Sequence, residues 1–476
     1  MTYAFTFDAS ACSGCKACQI ACKDKNNLPE GVLWRRVYEI SGGSWTNIGA
    51  GSPRPEIGAD TGVRGPRPYD VWKTDVFAYN LSIACNHCVH PKCAGVCPTD
   101  AYVQREDGIV YIDETKCMGC GYCAWACPYT APRYNPELGH MTKCDFCFDN
   151  LDADLPPACV AACPMRVLDI VIVDSKPWTV EGGEKQLWNL PGTAHPFPLP
   201  VRSRTEPHLT IQPHTGMDNK LDKAISNWEE INTGMAKSEN PLIAFTLSTQ
   251  MAVGMAVFSL FSGPLSLPVL LTIGGLLGVG GLISILHLGT PLKAWRAPFH
   301  LKKSWLSREI LMYGLFGGSW LLALLMPGMG KLSLALCGIG LLFNMAQVYR
   351  LRSIQAWDTW RTLLSFSTSA ILLGGLGLLS LDLLTNDTLM TGYLLAGGVG
   401  QVGALLLSLS ERNPVHRMAS RLRLGLIVLA FIGAVILFLL PEWVGRWGAA
   451  SIFLFSLTEE IIGRWSFYEH LHRRIL

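Results

Sequence analysis

Cysteine spacing is the feature of this sequence that most directly predicts chemistry. Sixteen of the seventeen cysteines lie between Cys12 and Cys163, in four groups of four. The first and third groups have the spacing C-x2-C-x2-C-x3-C, the second C-x2-C-x4-C-x3-C and the fourth C-x2-C-x11-C-x3-C. In such a run three thiolates converge on one cubane, and the last cysteine ligates the cluster of a second group. The spacing therefore predicts four 4Fe-4S clusters in two ferredoxin-like units.

The exchange of the last cysteine between groups also predicts the ligands of each cluster. We expect the first and fourth groups to form an outer unit around an inner unit made by the second and third groups. The outer unit has a first predicted set of Cys12, Cys15, Cys18 and Cys163, and a second of Cys22, Cys144, Cys147 and Cys159. The inner unit has a third set of Cys85, Cys88, Cys93 and Cys127, and a fourth of Cys97, Cys117, Cys120 and Cys123.

Zinc sites and disulfides are the alternative uses of these cysteines. Zinc sites are built from two C-x2-C pairs and do not need the third x2 step or the trailing x3-C. Disulfide frameworks lack this repeated spacing, and the first residues do not resemble a cleavable secretory signal. Cys337 stands apart in an apolar run, where a small core or lipid-facing residue is expected.

The elements that position the cysteines belong to a polar first part of the chain. Residues 3–8 alternate as a strand before the first group, and residues 107–113 do the same before the third group. We expect an α+β domain at 1–175 with two ferredoxin-like units. Glycine and proline predict an irregular insertion at about 41–75 and an extended strap at 176–240. The insertion is either a decoration or a contact surface for another subunit.

The second part of the chain, 241–476, is predicted to be an all-α transmembrane bundle. Eight apolar segments approach the length of a bilayer-spanning helix, at about 242–262, 268–288, 309–326, 332–349, 362–381, 390–409, 424–440 and 448–462. A net charge of only +2 over 476 residues gives no indication of a nucleic-acid partner. We therefore expect a multi-pass protein of the cell inner (cytoplasmic) membrane.

Lysine and arginine are distributed unequally between the two sides of this predicted bundle. The loops after the second, fourth and sixth segments and the C-terminal tail are rich in them, whereas the opposite loops contain only Lys331 and Arg446. The basic side is expected to be cytoplasmic. Because the number of segments is even, the cysteine-rich domain is expected on that same side. Docking of the basic face onto that domain or a partner is a competing reason for the bias.

His287 and Glu309 are the candidate quinone-binding residues. His287 closes the second segment and Glu309 opens the third, so both are expected at the membrane edge nearest the clusters. A histidine that hydrogen-bonds a quinone oxygen and a carboxylate that accepts a proton together fit quinol chemistry. The alternative is that each residue simply caps a helix end at the membrane interface, where a charged side chain costs little free energy. Glu459 and Glu460 are weaker candidates, with Arg464 as the expected ion-pair partner.

The sequence resembles the dimethyl sulfoxide reductase family over nearly its whole length. GCKACQIACKD, FAYNLSIACNHC, CPYTAPRYN and GHMTKCDFC resemble the family's four-cluster electron-transfer subunit, and HLGTPLKAW and SWLSREI resemble its eight-helix membrane-anchor subunit. The chain thus resembles a fusion of two subunits. The resemblance implies a separate catalytic subunit with a molybdenum bis-pterin cofactor, and it implies that His287 and Glu309 serve the quinol site.

The predicted function is an electron-transfer and membrane-anchor subunit of a molybdopterin oxidoreductase complex. The chain itself is expected to be non-catalytic toward the substrate and to exchange electrons with the membrane pool of menaquinone or ubiquinone. One alternative runs the relay toward quinone, in a cytoplasm-facing sulfite (sulfur compound) dehydrogenase. An alternative of another class is a redox-driven ion or proton pump subunit, which usually requires charged residues at the membrane midplane.

Overall fold

The structure, a computed structural model, has a cysteine-rich half (residues 2–227) and a helical half (residues 239–469). It describes residues 2–43, 45–47, 72–74, 76–173, 205–217, 223–227, 239–261, 265–385, 391–409 and 417–469. Most of the predicted insertion and most of the predicted strap lie outside the described residues.

The first strand connects the two ends of the cysteine-rich half. β1 (Thr2–Asp8) pairs antiparallel with β10 (Leu168–Val173) and parallel with β11 (Leu209–Gln212). Side chains alternate along β1, so Phe5 and Phe7 lie on one face and are buried in the core of this half. The pairing of β1 with β10 brings the first cysteine group next to the fourth.

A second sheet has the order β12-β2-β5, formed by Lys223–Ile225, Arg36–Gly42 and Phe77–Ile83. The predicted insertion begins within β2 and continues as β3 (Trp45–Asn47), which pairs antiparallel with β4 (Trp72–Thr74). The described ends of the insertion are therefore regular strands, in agreement with their aromatic and β-branched residues. Its glycine- and proline-rich middle lies outside the described residues.

Two short hairpins belong to the inner cysteine groups. β6 (Tyr102–Gln104) pairs with β7 (Val110–Ile112), and β8 (Arg133–Asn135) pairs with β9 (His140–Thr142). The strand predicted at 107–113 is shorter in the structure because Gly108 forms the preceding turn, with a φ of +81°.

Short helices contain or directly follow a cysteine in each group. They are α1 (Ala17–Lys25), α2 (Lys92–Val96), α3 (Tyr122–Ala126), α4 (Phe148–Leu151) and α5 (Ala158–Ala161). In the loop before α1, Gly14 has a φ of +71°, and an added Cβ would lie 2.6 Å from Asn80 Oδ1. This tight turn therefore requires glycine.

Long helices form the second half, one at each predicted segment. They are α6 (Asn240–Phe258), α7 (Leu267–Leu286), α8 (Trp305–Leu325), α9 (Pro327–Tyr349), α10 (Trp360–Thr385), α11 (Thr391–Leu409), α12 (Arg417–Leu439) and α13 (Pro441–Glu469). Within the described residues, seven helices are long and apolar enough to cross a membrane. The remaining one, α13, carries Glu459, Glu460 and Arg464 in its apolar run. The predicted fold class is confirmed, with seven of the eight helices meeting this criterion.

Small residues let the backbones of these helices approach closely. A Cβ added to Gly254 in α6 would lie 1.9 Å from the carbonyl oxygen of Ala370 and 2.9 Å from Cα of Gly374, both in α10. Close backbone contact of this kind stabilises helix pairs in membranes, where apolar burial does not drive their association. Helices α6 and α10 pack at the centre of the helical half, where Leu372 and Leu376 of α10 belong to the buried core.

Candidate functional site

The thiols of the first predicted set surround one cavity. Cys12, Cys15, Cys18 and Cys163 all line it. The first three come from the loop before α1 and its first residues, and the pairing of β1 with β10 supplies the fourth. Cys18 Sγ lies 3.2 Å from Ser82 Oγ.

The thiols of the second predicted set lie close enough to one another to interact electrostatically. Cys22 lies within electrostatic reach of Cys159 and Cys147, and Cys144 lies within reach of Cys22. Arg35, which is 2% exposed, lies among the thiols of the first two sets. A buried cation in this position compensates the negative charge that ligated thiolates introduce.

The thiols of the third predicted set surround a second cavity. Cys85, Cys88, Cys93 and Cys127 line it. Lys143 also lines the cavity, is only 3% exposed and donates a hydrogen bond to the carbonyl oxygen of Cys144. This set therefore has a buried cation of its own.

The thiols of the fourth predicted set come together beside the helical half. Cys123 lies within electrostatic reach of Cys120, Cys117 and Cys97. The hydroxyl group of Tyr102 also reaches Cys123. The side chains come from the loops around α2 and α3, which pack against each other.

The chemistry of these donor sets fits iron–sulfur clusters. Burial raises the pKa of both Cys22 and Cys120 to about 12, so these thiols keep their protons in neutral water until a metal displaces them. All seventeen cysteines are free. No group of three or more Cys, His, Asp or Glu in the described ranges is arranged to hold a single metal ion. The thiols of the first and third sets instead line cavities, as ligands of a cubane do.

The fourth set is attached to the helical half through the segment between α7 and α8. Thr290 donates a hydrogen bond from Oγ1 to the carbonyl oxygen of Cys117 at 2.8 Å, and its backbone N–H donates to Met118 at 3.1 Å. Ser304 Oγ donates to the carbonyl oxygen of Val96 at 2.7 Å. Gly139 and Gly289 are in backbone contact beside these bonds.

Helix α3 makes a second attachment. The Tyr122 hydroxyl donates a hydrogen bond to the carbonyl oxygen of Val348 in α9 at 2.8 Å. Trp125 packs edge-on against Trp357, with ring centroids 5.7 Å apart. Ser353 Oγ donates a hydrogen bond to the carbonyl oxygen of Trp125. Tyr122 and residues of the helical half thus share one buried core.

Glu309 lies inside the protein rather than at an exposed helix end. It is the fifth residue of α8, which begins after the N-cap Ser304, and it is 4% exposed. The hydroxyl groups of Tyr122 and Tyr349 both lie within electrostatic reach of its carboxyl group. The carboxyl group of Glu309 is therefore buried near two tyrosine hydroxyl groups.

His287 is the C-cap residue of α7, where the sequence placed it, and its backbone N–H donates to Ile283. It is partly exposed and lies three residues before Thr290, which bonds the Cys117 loop. This connection therefore holds His287 on the side of the helical half that faces the fourth set.

Several buried polar residues of the helical half were not singled out by the sequence. Gln250 in α6 and Ser369 in α10 are fully buried and contact Arg464. The prediction for Glu459 was wrong in its partner, because Arg423 of α12 donates to its carboxylate at 2.6 Å. The guanidinium of Arg464 instead points toward α6 and α10, where it donates to Gln250 and Ser369.

The comparisons with known proteins divide the sequence in the same way as its structure. Residues 76–172 match the 4Fe-4S dicluster domain family, and residues 231–411 match the DMSO reductase anchor subunit (DmsC) family. One polypeptide of the anaerobic dimethyl sulfoxide reductase of Escherichia coli (strain K12) is 43% identical over 212 residues, which is 44% of this chain and 89% of that protein.

More distant relatives share the cysteine-rich half. One polypeptide of the tetrathionate reductase of Salmonella typhimurium is 36% identical over 163 residues, which covers 34% of this chain and 54% of that protein. The present chain is thus an electron-transfer and membrane-anchor protein that carries 4Fe-4S clusters. It belongs to the dimethyl sulfoxide reductase family, as a fusion of that family's iron–sulfur protein with its membrane anchor.

Proposed function

We propose that the chain transfers electrons between a membrane quinone and a separate molybdopterin-containing catalytic subunit. The iron–sulfur domain at 1–175 holds the four clusters through the four cysteine sets given above. The segment at 176–240 links it to a membrane domain at 241–476, which carries the quinone site. When bound, the clusters supply one-electron transfer, and the remaining chemistry belongs to residues of this chain.

The position of Tyr122 is the observation that carries this proposal. Tyr122 directly precedes Cys123 in the chain, its hydroxyl bonds to Val348 of α9, and it lies within electrostatic reach of Glu309. Tyr122 therefore lies near both the fourth cysteine set and the buried carboxyl group of Glu309. A quinone bound beside Glu309 would lie close to the fourth set.

His287 and Glu309 divide the work that a quinol requires. Oxidation of a quinol releases two electrons and two protons, so it needs a hydrogen-bond partner for the ring oxygen and an acceptor for the proton. The imidazole of His287 suits the first task. The buried carboxyl group of Glu309 suits the second, because a carboxylate is a common general base in proton transfer.

The relatives indicate the class of substrate for the catalytic subunit. They are named as reductases of dimethyl sulfoxide, tetrathionate and thiosulfate. We infer a catalytic subunit with a molybdenum bis-pterin cofactor that reduces dimethyl sulfoxide or a similar oxide with electrons from menaquinol or ubiquinol. The lysine and arginine distribution supports a cytoplasmic position for the iron–sulfur domain.

The test follows the quinone pool in membranes that contain the whole complex. Wild-type membranes should oxidise a menaquinol analogue when dimethyl sulfoxide is added. His287→Ala and Glu309→Gln should each lower this rate at least about 100-fold, the lower range for loss of a general acid or base. Reduction of dimethyl sulfoxide by an electron-donating dye should continue in both variants, since the dye delivers electrons directly to the clusters.

His90→Ala and Glu106→Gln are the matched controls, because both residues are exposed on the cysteine-rich half. They should oxidise the quinol analogue at the wild-type rate. Unchanged quinol kinetics in His287→Ala and Glu309→Gln would refute the quinone site. Quinone reduction that depends on added sulfite, without any oxide-dependent quinol oxidation, would reverse the proposed direction of electron flow.

A further inference from the structure

The helical half contains a buried polar cluster that is separate from the proposed quinone-binding residues. It comprises Gln250 of α6, Ser369 of α10, and Glu460 and Arg464 of α13, none of which is more than 4% exposed. Arg464 Nη2 donates to Gln250 Oε1 at 2.9 Å and to Ser369 Oγ at 3.4 Å. Ser369 Oγ in turn donates to Glu460 Oε2 at 2.7 Å. Ionisable residues inside a membrane domain are costly and usually serve a function.

Several buried polar atoms around this cluster have no protein partner. Within the described part of the chain, Arg464 Nε and Nη1, Glu459 Oε2 and Gln401 Oε1 lack a hydrogen-bond partner. Buried polar atoms are almost always hydrogen-bonded to protein or to ordered water. Since four such atoms lie on or beside α13, we expect water molecules between them.

Two tyrosines lie between this cluster and Glu309. Tyr349 at the end of α9 lies within electrostatic reach of Glu309, and its hydroxyl oxygen is 2.6 Å from that of Tyr468. Tyr468 follows Arg464 by four residues in α13, so the two side chains lie on the same helix face. A series of polar side chains therefore lies between the proposed quinone site and Glu460, with direct hydrogen bonds between Tyr349 and Tyr468 and from Ser369 to Glu460.

The other end of the series lies at Arg423 of α12. Glu459 is next to Glu460 in α13 and is 1% exposed. Its partner Arg423 has a side chain that is 17% exposed, and its guanidinium packs over Gly463. Arg423 lies near the beginning of α12, and Tyr468 at the end of α13 packs near Trp125 of the cysteine-rich half. Both ends of the series are therefore on the side of the membrane domain that carries the clusters.

We propose that these residues form a hydrated proton path between the quinone site and the protein edge at Arg423. This inference depends on the quinone site proposed above. When a quinol is oxidised, its two O–H bonds break, the two electrons leave for the clusters that the cysteine sets would hold, and Glu309 accepts the protons one at a time. The tyrosine pair passes each proton on, because a hydroxyl group accepts one proton while it donates another. The proton then moves outward through water beside Arg464, next through Glu460 and finally through Glu459.

Arg464 is a positioning residue in this path. Its guanidinium keeps its proton under all conditions in proteins, so it holds Ser369, and through it Glu460, in place without transferring protons itself. Reduction of a quinone uses the same groups in reverse and takes up two protons. The path therefore serves either direction of electron flow.

The test measures how fast a menaquinol analogue reduces the clusters of the full chain in membranes, followed by visible absorption. Glu460→Gln, Ser369→Ala and Tyr468→Phe should each lower the rate constant at saturating quinol about tenfold, a modest fraction of the usual contribution of acid–base groups. Rates in D2O should fall further in these variants than in the wild type. Reduction by dithionite should be unchanged, and Glu460→Asp should restore most of the rate.

Matched controls are Ser367→Ala in α10 and Thr458→Ala in α13. Both hydroxyl groups bond to a carbonyl oxygen of their own helix and lie outside the cluster. An infrared difference band of a protonated carboxylic acid, present in the wild type and lost in Glu460→Gln, supplies a readout that does not depend on turnover.

The two proposals fail in different ways. Wild-type rates and isotope effects in Glu460→Gln, Ser369→Ala and Tyr468→Phe, while His287→Ala and Glu309→Gln remain slow, would refute the proton path and leave the quinone site in place. Wild-type rates in all five variants would refute both. Ser369→Ala and Tyr468→Phe each remove a single hydroxyl group, so they test the path even if Glu460→Gln does not fold.

Discussion

Cys120 tests the assignment of cysteines to clusters most directly. It belongs to the fourth predicted set, and the backbone N–H of Tyr122 lies within reach of its thiol. Cys120→Ser should alter the paramagnetic resonance signal of one reduced cluster and leave the other three, because the sets do not share ligands. The measurement is a redox titration of membranes followed by electron paramagnetic resonance.

Cys337→Ser is the matched control for this substitution. Cys337 lies in α9 and accepts a hydrogen bond from Ser319 Oγ at 3.3 Å, far from any of the four sets. All signals should survive this change. Loss of all four signals in Cys120→Ser, or bound zinc in place of iron in the wild type, would contradict the assignment.

Residues were predictable from sequence where a motif carried their role, and much less so where packing did. The cysteine sets were predicted from the spacing of the four groups together with the exchange of the last cysteine between groups. The position of Tyr122 depends on Val348, which is 226 residues away in the chain. No local pattern encodes a contact of that separation. Arg35 and Lys143 were likewise inconspicuous, since their burial follows from the arrangement of the sheets.

At the scale of elements, the pair α6 and α10 leads to a stability prediction. Gly254→Ala places a methyl group against the Ala370 carbonyl oxygen, so the two helices must separate. We expect this overpacking to lower the free energy of unfolding by about 1–3 kcal/mol. The measurement is thermal unfolding of the detergent-solubilised complex.

Gly318→Ala in α8 is the control for that prediction. An added Cβ at Gly318 meets nothing within 4 Å, and alanine favours a helix over glycine by about 1 kcal/mol. Gly318→Ala should therefore be neutral or slightly stabilising. A loss of stability in Gly318→Ala as large as that in Gly254→Ala would show that the effect does not come from the contact of α6 with α10.

The positions of the helices were predicted well, and their ends less well. Apolar segments identify spans because a bilayer requires long apolar runs, but charged and polar residues shorten the apparent segment. α8 begins at Trp305 rather than near 309, so Glu309 lies one turn inside the helix. α13 continues to Glu469, which places Glu459 and Glu460 well inside a helix whose end was expected near residue 462.

At the scale of the whole molecule, the two halves should remain associated after the segment that links them is cut. A protease site inserted between Asn227 and Glu239 separates them covalently and leaves the bonds of Tyr122, Thr290 and Ser304 intact. The two fragments should co-purify in mild detergent, because these bonds surround a shared apolar core. The measurement is size-exclusion chromatography after cleavage.

Tyr122→Phe combined with Thr290→Val provides the comparison for the cleaved protein. These substitutions remove two hydrogen bonds and leave buried carbonyl oxygens without a donor, at about 1–3 kcal/mol each. The cleaved double variant should dissociate more readily than the cleaved wild type. Complete separation of the wild-type fragments would show that the covalent connection alone holds the halves together.

The pairing of β1 with β10 has a consequence for the order in which the protein is made. The inner cysteine sets are complete once the ribosome has added Cys127, whereas the outer sets wait for Cys144 to Cys163. β1 leaves the ribosome first, yet its neighbour in the sheet, β10, is synthesised only after the last of these cysteines. Domains generally fold as units during synthesis. Iron delivery to the nascent protein should therefore begin at the inner sets and finish at the outer ones.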